Sequence, residues 1–171
     1  LRGHKNQPFS LITLMYFCLS GCTGIPEGIE PVTGFKQDHY LGTWHEIARL
    51  DHSFERGLTE VTATYRANTD GSIAVLNRGF DAEEDVWREA KGVARFVGAS
   101  DVAHLKVSFF GPFYGSYIIF DLDEDYEYAF VSGFNHDYLW LLARSPKITD
   151  GLREEFVEKI RVLGFDPVKL V

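Results

Sequence analysis

A train of short β-like runs, each closed by a turn signal, constrains this 171-residue chain more than any other feature. The runs cover residues 43–50, 59–67, 72–79, 86–97, 104–110, 115–122, 126–133 and 138–143. Between them stand turn formers: Asn68 to Gly71, the acidic stretch 81–85, Gly98 to Asp101, Gly111 and Pro112, the acidic turn 123–125, and 134–137. Alternation marks several runs, with Val61, Ala63 and Tyr65 in one phase and Ile73 and Val75 in another. Eight strands joined by short loops favour an antiparallel meander, and closing that meander into a barrel removes its exposed edges. Spacing alone also permits a β-sandwich. A single helix follows: Thr149 or Asp150 caps it, Leu152, Phe156, Ile160 and Leu163 share one face, and Gly164 stops it. Leu139 and Leu141 are in phase to receive that face, and residues 165–171 read as a last short strand.

The first residues have a different character. Arg2, His4 and Lys5 form a basic head, residues 9–17 are mostly apolar, and Leu19, Ser20, Gly21 and Cys22 follow. Basic head, short apolar core and small residues at a cut site mark an export signal. The apolar stretch is shorter than the roughly 20 residues that cross a bilayer. The four residues ending at Cys22 resemble the bacterial lipobox, which implies cleavage before Cys22 and acylation of its thiol and new amine. The expected organisation is a removed signal over 1–21, a lipidated start and Gly/Pro-punctuated tether over 22–32, and one domain over 33–171. In the sorting scheme of Gram-negative lipoproteins, Thr23 in place of Asp after the cysteine implies the outer membrane, periplasmic face.

Composition narrows the partners. The first 21 residues hold two of the 17 basic and none of the 25 acidic residues, so the formal charge of −8 becomes −10 once they are removed. Such a domain is a poor ligand for nucleic acid. Cys18 leaves with the signal and Cys22 is the only thiol remaining, so no disulfide is expected. No Gly-X-Ser-X-Gly elbow, phosphate loop or dinucleotide fingerprint is present, and the histidines at 39, 45, 52, 104 and 136 lack zinc spacing. Asp51 and His52 adjoin, but in a loop without a serine partner. The expectation is a binding protein rather than an enzyme, with no metal and no cofactor.

Gly42, Thr43 and Trp44 open the first run, and Arg144 follows the last. Together with residues 40–49, 51–57, 106–114 and 137–140, they resemble the lipocalin family, in particular its bacterial outer-membrane lipoproteins. The resemblance covers nearly all of 33–171. The family's usual Thr-Asp-Tyr motif appears here only as Leu122 and Asp123. The resemblance implies an all-β, eight-stranded up-and-down barrel with one C-terminal helix packed outside. It makes Gly42, Trp44 and Arg144 structural: Trp44 plugs the closed end and Arg144 stacks on it as a cation–π pair.

It also implies a cavity for fatty acids or lysophospholipids, held for storage or transport in outer-membrane maintenance. Phe54, Phe80, Phe113, Tyr114 and Phe134 fall in loops that would rim the mouth. Phase puts Tyr138, Trp140 and Leu142 inside on the last strand, and Glu46 and Ala48 inside with Trp44 on the first. Trp87 and Phe96 join the cavity candidates without a motif to fix their phase. Glu46 then needs a buried partner or a raised pKa; it either pairs with an arginine or tyrosine or meets a ligand headgroup. Two alternatives stay open: a carrier of another apolar molecule such as haem, and a structural lipoprotein with a filled barrel. The resemblance also allows a homodimer, which no residue in the sequence marks.

Overall fold

The computed structural model of the protein describes residues 23–171, so the signal, the lipobox and Cys22 lie outside the described residues. A short helix, α1 (Gln37–Tyr40), precedes eight strands: β1 (Gly42–Arg49), β2 (Leu58–Ala67), β3 (Ile73–Asp81), β4 (Val86–Phe96), β5 (His104–Phe110), β6 (Phe113–Leu122), β7 (Tyr128–Ser132) and β8 (Leu139–Ala143). Each boundary falls within two residues of the sequence expectation. Consecutive strands pair antiparallel and β1 closes on β8, which makes an up-and-down barrel with no free edge.

Two cores follow from the two faces of the sheet. Inside the barrel, Trp44, Tyr65, Val75, Ala94, Leu105 and Val131 are buried with Phe35 and Tyr40, which close one end. Outside, α2 (Asp150–Val162) lies over β7, β8 and the second half of β6. Thr149 caps it by accepting from the Leu152 N–H at 3.2 Å, and Gly164, at φ +86°, ends it. Phe156 and Ile160 are fully buried against Leu139, Leu141, Phe130 and Ile118, each worth about 1.5–3 kcal/mol relative to exposure. Residues 23–171 supply all eight strands of the closed barrel and the residues of both described cores.

Three expectations are corrected here. Residues 165–171 form a 3-10 turn (Pro167–Lys169) and a single bridge from Leu170 to Leu50 instead of a strand, because Pro167 cannot donate to a ladder. Residues 23–32 do not stand free as a tether: Ile29 is buried in the outer core, and the Val32 N–H donates to the Ile119 carbonyl at 2.9 Å. Further back, the Gly24 carbonyl accepts from Ser116 Oγ at 2.7 Å, which fixes this strap to β6. Finally, β1 carries a bulge at Ile47. The extra residue reverses the phase, so Ala48 faces outward opposite Leu141, and Arg49 faces inward opposite Trp140.

Candidate functional site

The closed end is built around Trp44. Its ring is wholly buried, its Nε1 donates to the Tyr40 carbonyl at 2.8 Å, and the Arg144 guanidinium carbon lies 3.9 Å from its centroid. Arg144 also donates to the carbonyls of His39, Leu41, Thr43 and Tyr126, knitting α1 to the barrel. Gly42 is required beside it. Its φ is +99°, and a Cβ there would stand 3.3 Å from Arg144 Nη1.

Above this floor lies a largely apolar cavity of about 240 Å³. Val61, Val75, Val107, Phe109 and Leu142 supply its apolar wall. Gly92 makes room for Phe109: a Cβ at 92 would lie 2.9 Å from that ring. On the floor, the Tyr117 hydroxyl meets those of Tyr40 at 2.6 Å and Tyr65 at 2.9 Å. Burial raises all three phenols, so they stay neutral donors and acceptors. At the mouth, Phe54 stacks on His52 at 3.9 Å, and Tyr138 lies near Phe134 and Trp140.

A buried polar cluster sits on the wall below the mouth. Arg49 Nη1 donates to Glu46 Oε1 at 2.7 Å, and its Nη2 donates to the Glu55 carbonyl at 2.9 Å. Trp140 Nε1 donates to Glu55 Oε2 at 3.2 Å, and Asn77 Nδ2 approaches Glu55 Oε1 at 3.5 Å. His52 Nε2 lies 3.0 Å from Glu55 Oε2 but off line for a hydrogen bond. Burial pushes the Glu46 carboxyl up to about 8; Glu55 adds to the rise and Arg49 opposes it. Burial also pushes the Glu55 carboxyl up, but His52, Trp140 and Arg49 together outweigh it and hold it below its ordinary value. Asp51, by contrast, turns out to solvent and pairs with Arg56 at 2.9 Å, away from His52.

Of the nine cavity candidates from the sequence, Glu46, Phe54, Tyr138, Trp140 and Leu142 line this space, and Phe134 joins them at the rim. Four do not. Trp87 is on the outer face, 43% exposed, with Arg78 over its ring at 3.8 Å and Phe80 beside it. The β3–β4 register pairs Trp87 with Phe80, whereas the inward residues of β3 are Val75, Asn77 and Gly79, so Phe80 too leaves the rim. Phe96 points inward but packs at the closed end on Phe35. Phe113 projects to solvent at the β5–β6 turn, 72% exposed, and Tyr114 lies under the Lys106 ammonium on the outer face. Sequence reasoning missed Glu55 and Asn77. Glu55 sits in an irregular loop where no period exists to assign a face, and Asn77 looks like one more polar residue in a half-polar strand.

Comparison with known proteins places these features. A family model described as a lipocalin-like domain matches residues 35–171. The outer membrane lipoprotein Blc of Vibrio cholerae is 56% identical over 154 residues, covering 90% of each chain. The outer membrane lipoprotein Blc of Escherichia coli K12 is 47% identical over 146 residues, covering 85% of this chain and 82% of that one. Among solved structures, insecticyanin from the tobacco hornworm Manduca sexta superposes with a TM-score of 0.66 at 19% identity, covering 86% of this chain and 85% of that one.

Proposed function

This chain belongs to the lipocalin family, and from that premise we propose that it is a membrane-anchored carrier that stores or transports fatty acids or lysophospholipids at the periplasmic face of the outer membrane. The observation that carries this reading is the aromatic-mouthed, apolar cavity of about 240 Å³, near the lower end of the ~300–1,000 Å³ typical of small-molecule sites. A single acyl chain suits so narrow a space better than a broad planar ligand. Binding is a partition: each methylene that leaves water for the cavity contributes about 0.8 kcal/mol. The ligand site consists of Phe54, Tyr138, Trp140 and Leu142 with Glu46 at its polar wall, joined by Glu55, Asn77 and Phe109.

Lipidation of Cys22 supplies the anchor, since two or more acyl chains hold a protein stably where one does not. The names of the relatives from Vibrio cholerae and Escherichia coli support the outer membrane as the address. The strap gives the anchor a direction. It runs from Val32 at Ile119 back to Gly24 at Ser116, toward the β5–β6 turn on the mouth side. With Gly24 on the mouth side, an anchor on Cys22 would turn the cavity toward the bilayer.

Native mass spectrometry of residues 23–171 with a micromolar lysophospholipid or fatty acid tests the reading. One ligand per chain is expected. Failure to take up either class would leave a barrel without a cargo.

A further inference from the structure

We propose that the polar wall below the mouth is a headgroup site that selects amphiphiles ending in an ammonium group over those ending in a carboxylate. It rests on the lipid-carrier reading above and narrows it. The cavity lining contains no lysine or arginine. Its other polar groups are already engaged: Ser116 donates to the Gly24 carbonyl, and the Tyr65 and Tyr117 hydroxyls bond to each other. What remains facing the cavity is Glu46, Glu55, Asn77 and the Tyr138 hydroxyl. Asn77 Oδ1 is buried without a hydrogen-bond partner. Its amide orientation is fixed by Nδ2 pointing at the Glu55 carboxyl, because the flipped amide would set oxygen against oxygen. The wall therefore presents mostly acceptors, its donors being the Tyr138 hydroxyl and the proton on Glu46.

An ammonium group supplies what is missing. It brings positive charge to two carboxyl groups whose one neighbouring guanidinium, Arg49, bonds the Glu46 carboxyl and the Glu55 backbone carbonyl. The rings of Phe54, Tyr138 and Trp140 flank the site and offer faces to a cation. A carboxylate in the same place would surrender its hydration and face the Glu55 carboxylate with no lysine or arginine in the lining to offset it. Glu46 adds a proton linkage. The groups around it are Arg49 on β1, Glu55 and His52 on the β1–β2 loop, Tyr65 on β2, Asn77 on β3 and Trp140 on β8. In the empty cavity its carboxyl holds its proton up to about pH 8. An arriving cation favours the carboxylate, so binding releases a proton and tightens as pH rises toward 8.

Calorimetric titration of residues 23–171 with three C12 amphiphiles below their micelle concentrations tests this. The probes are dodecylammonium, dodecanoate and dodecanol. The ammonium should bind at least about tenfold tighter than dodecanoate, and its affinity should rise from pH 6 to 8. Glu46→Gln and Glu55→Gln should each shrink the ratio, with a far-UV circular dichroism spectrum like the parent's reporting an intact barrel. Dodecanoate binding as tightly as the ammonium in the unaltered protein overturns the proposal, as does a ratio unchanged in both variants. If none of the three binds, the carrier reading itself fails, a result distinct from binding without selection.

Discussion

Arg49 donates to Glu46 at 2.7 Å because strand β1 carries one extra residue between them. In a regular strand, residues three apart lie on opposite faces. The bulge at Ile47 puts both on the inner face, and the barrel thereby gains a buried guanidinium–carboxyl hydrogen bond beside its cavity. Both side chains are more than nine-tenths buried, so each depends on the other to remain inside.

The first prediction concerns pH and stability. The Glu46 carboxyl is raised from an ordinary 4.5 to about 8, chiefly by burial. A carboxyl raised on folding binds its proton more tightly in the folded state. Its contribution is present in full below about pH 4.5 and is lost as pH rises to about 8. Glu55 is shifted the other way, so its contribution is lost on acidification below the ordinary carboxylate range. Between pH 5 and 8 the Glu46 trend governs. The unfolding midpoint of residues 23–171 should therefore fall across that interval, and Glu46→Gln, which mimics the protonated acid, should flatten the fall. Equal slopes in the two proteins would remove Glu46 as the cause.

The three tryptophans make a second prediction, because the structure puts them in three environments. Trp44 is sealed under Arg144, Trp87 lies on the outer face and Trp140 lines the cavity. Ligand uptake should perturb the emission of Trp140 alone. Trp140→Phe should abolish the fluorescence response, and Trp140→Ala should weaken affinity about tenfold or more through lost apolar contact. Trp87→Phe should leave both unchanged. A response that disappears with Trp87 would show that the outer face, not the cavity, holds the ligand.

How far the chain could be read is clear from these same residues. The eight strands were legible because alternation and turn residues are local. Trp44 and Arg144 were legible through the motifs that hold them. Ala48 was misplaced because a bulge is one residue long and leaves no periodic trace, although an inward Glu46 needing a partner was the available hint. Phe96 was right in face but wrong in depth, and Trp87, Phe113 and Tyr114 were misassigned for a different reason. Aromatic character reports that a residue can bury a ring, but the face it uses depends on strand register, which is a long-range property. Glu55 had no phase to read at all.

The closed end offers a third prediction. Arg144→Ala would remove four donor contacts to backbone carbonyls and the stack on Trp44. A loss of about 2–4 kcal/mol in denaturant unfolding is expected, since hydrogen bonds from a charged donor contribute more than neutral ones. Gly42→Ala should cost about 1–2 kcal/mol, because its φ of +99° strains any side chain and the new Cβ crowds Arg144. Ligand affinity in the folded fraction should be little changed in either variant, as neither residue lines the cavity. A Gly42→Ala protein as stable as the parent would contradict the backbone argument.

The last prediction follows from the direction of the strap. Ser116, which holds Gly24, lies three residues from Phe113 on the strand that leaves the β5–β6 turn. At that turn Phe110 and Phe113 are 79% and 72% exposed, a pair of rings that no other described residue covers. If the mouth faces the bilayer, these rings enter its interface and add apolar burial to that of the lipid on Cys22. Residues 23–171, which lack the lipid, should still bind zwitterionic vesicles weakly; the domain's formal charge of −10 rules out anionic lipid as the attractant. Replacing Phe110 and Phe113 together with Ser should reduce cosedimentation with such vesicles by about tenfold or more. Val162 and Val168, 85% and 91% exposed on the helical side, provide the comparison. Their replacement by Ser should change nothing, and an equal loss from that pair would mean that the barrel meets the membrane by another face.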